Sequence, residues 1–170
     1  MRLILVGAGG YGRTVADVAA QTERYDEILF LDDHSQEKDV LGCCRDFTNY
    51  INENTEFYPA FGVNCRRLAW IWRLEDEGAR VASIIHPSAY ISPTASLEIG
   101  IAVLPKAAVN TNCRIRNGAI INLGALVDHD CVIGEGSHIC VGAIVKGENR
   151  IPDQMKLEAG QVIENRTYPL

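Results

Sequence analysis

Aliphatic residues recur at every sixth position from Ile85 to Ile163, with no insertion in the series. Every position of the series holds Ile, Leu or Val, and a small residue usually follows four positions later: Ala89, Ala95, Ala107, Cys113, Ala119, Ala125, Cys131, Ser137 and Ala143. A fixed period of six residues is typical of a parallel β-helix, in which each repeat contributes one short strand and one corner. We therefore predict an all-β parallel β-helix from residue 85, with the aliphatic side chains inside and the small ones filling the corners.

Three such repeats close one triangular coil, so residues eighteen positions apart should lie one above the other. The pattern weakens beyond Glu148, where the corner positions become larger: Asn149, Met155 and Gln161. We expect this end of the β-helix to be irregular.

The residues before the repeat follow a different pattern, in which short apolar runs alternate with stretches of helical spacing. Apolar runs predict strands at residues 2–6, 27–31, 57–62 and 80–84. Helices are predicted at residues 13–21, after Asp46 as N-cap, and from Asn64 as N-cap to Gly78. This alternation is typical of an α/β domain. The chain should thus have two domains, residues 1–84 and residues 85–170.

The first predicted strand leads into Gly7-Ala8-Gly9-Gly10-Tyr11-Gly12, which has the spacing G-x-G-x-x-G. Glycines between a strand and a helix allow a tight turn and let a phosphate approach the backbone N–H groups at the helix start. Asp32 lies twenty residues beyond Gly12, where a Rossmann fold places its ribose-binding acid. The motif predicts a Rossmann-like nucleotide-binding domain, with a purely structural turn as the alternative. An NAD-dependent dehydrogenase is disfavoured because 84 residues supply only one mononucleotide-binding half.

Composition narrows the range of partners. The formal net charge is −6 and no basic run occurs, which argues against nucleic acid or an anionic membrane surface. The apolar start of the chain is too short for a signal peptide, and no apolar run approaches the ~20 residues of a membrane span. We expect a cytoplasmic protein. Six cysteines without CxxC spacing and scattered histidines indicate reduced thiols and no metal site.

His129 is the strongest candidate for chemistry. It is the third residue of its repeat, a position that should face outward, and Asp128 and Asp130 flank it. A carboxylate bonded to one ring nitrogen raises the basicity of the other, as a general base requires. Its vertical neighbours should be Thr111 and Gly147, which leave room beside the imidazole. A solvated surface histidine is the plainer alternative.

Four segments together resemble one family. They are Gly-Ala-Gly-Gly-Tyr-Gly-Arg near the start, Leu-Asp-Asp after the second strand, Ile-Ile-His-Pro-Ser-Ala at the entry to the repeat, and Ile-Asn…Val-Asp-His-Asp-Cys-Val-Ile-Gly…His-Ile within it. This set is similar to the bacterial sugar acyltransferases of the sialic acid O-acetyltransferase type, which include N-acetyltransferases acting on nucleotide-linked amino sugars for surface glycans. The similarity covers residues 1 to about 147.

The resemblance implies a left-handed β-helix that forms a homotrimer, acetyl-CoA as co-substrate between neighbouring β-helices, and a sugar or nucleotide-sugar as acceptor. It implies that His129 is the base and Asp130 its acidic partner, and that Asn122 lies near the sugar. The remaining implied positions are His138, Gly142 and Gly147 for CoA, and Gly7, Gly9, Gly10, Tyr11, Asp32 and Asp33 for the nucleotide side.

Two features depart from the family pattern. Tyr11 stands where many relatives carry a histidine that contacts the substrate, so the acceptor is left open. Relatives usually continue with further repeats, so residues 147–160 should wall the CoA tail with less material.

Three functional hypotheses follow. The first is acetyl (or related acyl) transfer from CoA to an amino or hydroxyl group of a nucleotide-linked or free sugar. The second is a non-catalytic trimeric scaffold that holds a nucleotide-sugar. The third is an O-acetyltransferase acting on a free small acceptor. The acyl length and the choice between N- and O-transfer stay open.

Overall fold

The computed structural model describes residues 1–169, so Leu170, the last residue of the predicted second domain, lies outside the described residues. Residues 1–81 form a four-stranded parallel sheet with the strand order β2-β1-β3-β4. The elements of this N-terminal unit are, in chain order, β1 Arg2–Val6, α1 Gly10–Ala20, β2 Glu27–Leu31, a 3₁₀ helix Cys44–Tyr50, β3 Thr55–Pro59, α2 Asn64–Asp76 and β4 Arg80–Val81. The alternating pattern of the sequence therefore predicted the parallel strands and all three helical segments.

Both predicted helix caps were wrong. Asp46 lies inside the 3₁₀ helix, whose N-cap is Cys43, and its carboxylate reaches back to accept a hydrogen bond from Cys43 N. Asn64 is the first residue of α2 and not its cap; its amide instead donates to the carbonyl of Gln154, ninety residues away. This acceptor for the Asn64 amide is supplied by tertiary packing, which local propensity does not include.

Residues 84–163 form a parallel β-helix of two-residue strands, which confirms the period of six. The strands are β5 Ile84–Ile85, β6 Tyr90–Ile91, β7 Ser96–Leu97, β8 Ala102–Val103, β9 Ala108–Val109, β10 Arg114–Ile115, β11 Ile120–Ile121, β12 Leu126–Val127, β13 Val132–Ile133, β14 His138–Ile139, β15 Ile144–Val145, β16 Arg150–Ile151, β17 Lys156–Leu157 and β18 Val162–Ile163. Each pairs with the strand eighteen residues away.

The predicted irregular end is wrong, because β16, β17 and β18 continue the same register beyond Glu148. Asn149 explains the regularity. Its side chain is fully buried in the corner, where the amide donates to the carbonyls of Lys146 and Glu164 at 2.7 and 2.9 Å. The larger side chain of Asn149 therefore fits the corner because its polar amide is hydrogen-bonded there.

The β-helix has three sheets with different outer faces. The junction sheet (β5, β8, β11, β14, β17) faces the N-terminal unit. The charged sheet (β7, β10, β13, β16) carries Ser96, Arg114, Val132 and Arg150 outward. The apolar sheet (β6, β9, β12, β15, β18) carries Tyr90, Ala108, Leu126, Ile144 and Val162 outward, and three of these are exposed: Tyr90, Leu126 and Val162.

One apolar core joins the N-terminal unit to the β-helix. Leu3 and Leu5 of β1 and Val15 and Val18 of α1 pack in the same buried cluster as Ala102 and Ile120 of the junction sheet, together with Ile84. A second cluster fills the interior of the β-helix. Ile85, the first residue of the aliphatic series, is 37% exposed because no coil lies beneath β5.

Helix α2 packs on the corner between the charged and junction sheets. The turns there place glycine at 100, 118 and 136, each with a positive φ. Gly118 suits this turn because its φ is 66°, and a Cβ there would also lie 2.7 Å from Ile71 Cδ1 of the helix. Arg67 of α2 is fully buried and donates to the carbonyls of Gly118 and Gly136 at 2.7 and 2.6 Å.

Candidate active site

His129 lies in the turn that leaves β12, at the corner between the apolar and charged sheets. We call this the His129 corner; it comprises the stacked turns 110–113, 128–131 and 146–149. The imidazole Nδ1 lies 2.8 Å from Asp130 Oδ2, and Nε2 lies 3.9 Å from Asp128 Oδ2. The His129 side chain is 42% exposed. Two carboxylates therefore flank a solvent-accessible imidazole, as the sequence predicted.

The two acids change the titration of His129. The hydrogen bond that His129 donates to Asp130 and the charge of Asp128 raise the pKa of His129 above its ordinary value. Asp130 in turn is held as a carboxylate, because the hydrogen bonds from His129 and from Asn112 lower its pKa. The Nδ1–H then donates to Asp130, which leaves Nε2 as the basic nitrogen.

Gly147 lies against the Cε1–Nε2 edge of the imidazole. A Cβ at this position would lie 2.8 Å from both Cε1 and Nε2 of His129. The predicted vertical neighbour therefore leaves room for the ring and for nothing larger than hydrogen. Beside this corner, a cavity of about 460 Å³ opens on the apolar sheet; Asn110, Leu126, Asp128 and Lys146 are among its lining residues.

A second cavity, of about 280 Å³, lies at the carboxyl ends of β1 and β2. It is lined by predicted nucleotide-side residues: Gly7, Gly9, Gly10, Tyr11, Asp32 and Asp33. No atom lies within 4 Å of a Cβ built at Gly9 or at Gly10, so the loop is open to a ligand there. Gly12 is different: its Cβ would lie 2.1 Å from Gly7 O, which makes it a packing glycine.

The acids of this cavity hold the protein's own loops. Asp32 Oδ2 accepts a hydrogen bond from Ala8 N, and Oδ1 accepts from the backbone N–H groups of His34 and Ser35. Although partial burial acts in the opposite direction, these three donors lower the pKa of Asp32. Asp33 Oδ1 accepts from Cys44 N. Tyr11 meets Tyr58, with 2.7 Å between the hydroxyl oxygens, and burial raises the pKa of Tyr11 well above its ordinary value.

Asn122 and His138 form a third group, at the corner where the junction sheet meets the apolar sheet. Asn122 Oδ1 accepts from Leu123 N, so its amide donates to His138 Nε2 at 2.9 Å. The proton of a neutral His138 then sits on Nδ1, which is buried and has no hydrogen-bond partner among residues 1–169. Burial, followed by the charges of Arg67 and Lys156, lowers the pKa of His138 to about 4. This imidazole is neutral at pH 7.

Within one chain, the predicted residues thus fall into three separate groups. His129, Asp130 and Gly147 are in contact at one corner, and Asn122 contacts His138 at the next corner along β12. Gly142 lies in the turn between β14 and β15, with a positive φ of 63° and open space around it. The nucleotide-side residues line their own cavity.

Sequence reasoning missed two asparagines at the His129 corner. Asn110 Nδ2 donates to Asp128 Oδ1 and Asn112 Nδ2 donates to Asp130 Oδ1, each at 3.1 Å. Each asparagine lies eighteen residues before its acid, so the signal was present in the repeat itself. No group of three or more His, Cys, Asp or Glu side chains within residues 1–169 could hold a metal ion. In the same range, no helix is long and apolar enough to span a bilayer.

This chain is similar to one protein family and to several solved structures. Residues 2–74 match the PglD N-terminal domain family. The acetyltransferase domain of PglB from Neisseria gonorrhoeae FA1090 is 33% identical and superposes with a TM-score of 0.94 over 97% of this chain and 83% of that chain. The same domain is known in complex with acetyl coenzyme A.

Two further structures extend the similarity. PerB from Caulobacter crescentus, in complex with CoA and GDP-perosamine, is 25% identical with a TM-score of 0.85 over 100% of this chain and 92% of that chain. WeeI from Acinetobacter baumannii AYE shares the fold, at 22% identity and a TM-score of 0.88 over 100% of this chain and 85% of that chain.

Proposed function

Because the chain belongs to the bacterial sugar acetyltransferases of the hexapeptide-repeat type, we propose that it transfers an acetyl group from acetyl-CoA to the amino group of a nucleotide-linked sugar. The observation that carries the proposal is the imidazole of His129, which is 42% exposed and lies with Nδ1 2.8 Å from Asp130 Oδ2. Transfer to nitrogen is favoured over transfer to oxygen because a related structure is described as a perosamine N-acetyltransferase with CoA and GDP-perosamine.

In this proposal His129 is the general base. Its Nε2 removes a proton from the acceptor amine as the nitrogen attacks the thioester carbonyl. The new C–N bond forms, the C–S bond breaks, and the proton passes from the imidazolium to the departing CoA sulfur. Asp130 stabilises the imidazolium through Nδ1. No acyl-enzyme is required, and Cys131 is fully buried in the corner with its thiol directed at backbone carbonyls.

We assign the acceptor's nucleotide to the cavity at the glycine loop. Residues 1–84 would act as a Rossmann-like nucleotide-binding domain, with Gly9 and Gly10 beside the phosphates at the start of α1. Tyr11, Asp32 and Asp33 line the same cavity. Residues 85–170 would supply the acetyl-transfer machinery on a left-handed β-helix.

The donor site is proposed to form between chains of a homotrimer. His129 and the Asn122–His138 pair lie at opposite ends of the strand β12, so a second chain packed on the apolar sheet would bring its Asn122 and His138 towards this chain's His129. His138, Gly142 and Gly147 would line the CoA pocket there. The exposed Leu126, Tyr90 and Val162 supply the apolar contact surface.

The test is thiol release from acetyl-CoA in the presence of a panel of UDP- and GDP-linked amino sugars. One of the panel should be acetylated, and His129→Ala should lower the rate at least ~100-fold, because general base catalysis typically contributes 10²–10⁴. His86→Asn is the matched control, because the His86 imidazole bonds to Gln21 and Ser88, away from the His129 corner.

Two results would contradict the proposal. Full activity of His129→Ala would show that another group is the base. Nucleotide-sugars that raise the melting temperature without any thiol release would favour the non-catalytic scaffold, since a ligand of the native state stabilises it whether or not it turns over.

A further inference from the structure

The His129 corner differs from the other two corners of the coil in its backbone. At the other corners, the residue with positive φ is usually glycine: Gly100, Gly118, Gly136, Gly124, Gly142 and Gly160. At the His129 corner the same position is Asn112, Asp130, Glu148 and Arg166 in successive coils. A side chain in the left-handed region is strained relative to glycine, and Asn and Asp tolerate it best. The His129 corner therefore carries side chains at positions where glycine would be less strained.

These side chains form a vertical contact between coils. Asn112 Nδ2 donates to Asp130 Oδ1, while Asp130 Oδ2 faces His129 Nδ1 at 2.8 Å. Asn112 is itself anchored from below, since its backbone N–H donates to Thr94 Oγ1 at 3.0 Å. The two oxygens of Asp130 therefore have different partners, one from the coil below and one from the imidazole.

Asn110 repeats this arrangement at the other acid. Its Nδ2 donates to Asp128 Oδ1 at 3.1 Å, and the same oxygen accepts from His129 N at 2.8 Å. The hydroxyl of Thr111 donates to Asn110 Oδ1, which fixes the orientation of the Asn110 amide. The segment Asn110-Thr111-Asn112 thus lies directly beneath Asp128-His129-Asp130 with one amide under each carboxylate.

We propose that Asn110 and Asn112 are positioning residues of the acetyl-transfer site, whose amides hold Asp128 and Asp130 from the coil below and so aim Asp130 at Nδ1 of His129. The inference rests on the proposed function for its catalytic meaning. An amide NH₂ is suited to this role because it donates to a carboxylate without adding a charge that would compete with the imidazole. Neither asparagine needs to touch a substrate.

The charged groups around His129 are few. Asp128 and Asp130 belong to its own turn, Glu148 and Lys146 lie in the coil above, and the coil below supplies only the uncharged segment 110–112. Glu148 is paired with Arg166, and Lys146 with Glu164. Changes at Asn112 should therefore reach His129 through Asp130 and not through a new charge.

The first experiment is an NMR titration of the imidazole resonances in the full chain, with His129 assigned from the His129→Gln variant. Asn112→Gly removes the amide and keeps a residue that accepts the left-handed backbone. With Asp130 released, its hydrogen bond to Nδ1 should weaken, and the pKa of His129 should fall towards its ordinary value. In an Asp130→Asn background, Asn112→Gly should cause no further change.

The second experiment measures kcat and KM for the same variants. Asn112→Gly should lower kcat about tenfold, a typical cost for a group that orients a reacting side chain, with KM for acetyl-CoA little changed. The loss should vanish in the Asp130→Asn background, because groups acting through one another are not additive. Asn110→Ala should give a smaller loss through Asp128. Asn117→Ala is the control, because the Asn117 side chain also makes a hydrogen bond between coils, accepting from Ile99 N, but at another corner.

Two outcomes would overturn the inference. One is an unchanged pKa of His129 together with an unchanged kcat in Asn112→Gly. The other is a loss of the same size with and without Asp130, which would indicate a general effect on the fold. If His129→Ala keeps the full rate, the proposed base is wrong instead. The titration needs no turnover, so it still decides whether the amides hold the His129–Asp130 pair.

Discussion

At the scale of single residues, Gly147 limits where the imidazole of His129 can lie. The glycine is in the coil above, and its missing side chain is what lets Cε1 and Nε2 approach the backbone. Its φ lies outside the left-handed region, so an alanine there would strain no backbone angle. Any effect of a side chain at 147 should therefore act through the ring.

Gly147→Ala is expected to lower kcat roughly 10- to 100-fold, because a displacement of about 1 Å at a reacting group has consequences of this size. The melting temperature should change little, and kinetics together with thermal unfolding would show it. Gly134→Ala is the contrasting variant: its Cβ would lie 2.6 Å from backbone atoms of Ile151 and Asp153, so it should destabilise the protein without touching His129. Normal turnover by Gly147→Ala would mean that the ring is free to move.

The sequence predicted the His129 corner well because all of its information is local or periodic. His129 and Asp130 are neighbours, and Gly147 follows from a step of eighteen residues. The donors to Asp32 and the partner of His138 could not be predicted in the same way. One of the three donors to Asp32 is Ala8 N from another segment, and the Asn122 amide, in the turn after β11, reaches His138 at the start of β14 in the next coil.

At the scale of elements, α2 and its buried Arg67 fix the N-terminal unit against the β-helix. The guanidinium donates to the carbonyls of Phe61, Gly118 and Gly136 and to Asn64 Oδ1. No carboxylate takes part in these four bonds. The helical spacing predicted α2, but it gave no reason for an arginine on the buried face, because its acceptors Gly118 and Gly136 lie 51 and 69 residues further along the chain.

Arg67→Ala should lower the free energy of unfolding by about 3 kcal/mol or more, because several buried acceptors would lose their donor. Urea unfolding would measure the change. Arg73→Ala on the same helix is the control. Arg73 lies over the rings of Trp70 and Phe47 at 4.7 and 5.3 Å, an exposed cation–π contact that contributes only about 0.5–1 kcal/mol. Equal losses for the two variants would contradict the role assigned to the buried guanidinium.

At the scale of the whole molecule, the apolar sheet is the surface on which we expect a second and third copy to pack. Leu126→Glu places a charge at the centre of this sheet and should convert the proposed trimer to monomers, as measured by light scattering with size-exclusion chromatography. Acetyl transfer should be lost with it, because Asn122 and His138 would come from a neighbouring chain.

Val132→Glu provides the control for this variant. Val132 has the same outward position on β13 that Leu126 has on β12, but it lies between Arg114 and Arg150 on the charged sheet. This variant should keep both assembly and activity. A monomeric wild-type protein with full activity would show that one chain alone makes the site.

The sequence pattern changes at residue 85, but the buried core does not divide there. One hydrophobic cluster is shared by β1, α1 and the junction sheet. Cutting after residue 84 would leave Ala102 and Ile120 facing water on one fragment and Leu3 and Val15 on the other. Neither fragment would be a free-standing module. The cavity at the glycine loop and the His129 corner are therefore joined through one buried cluster, so exchanging the whole N-terminal unit for another would disrupt that shared core.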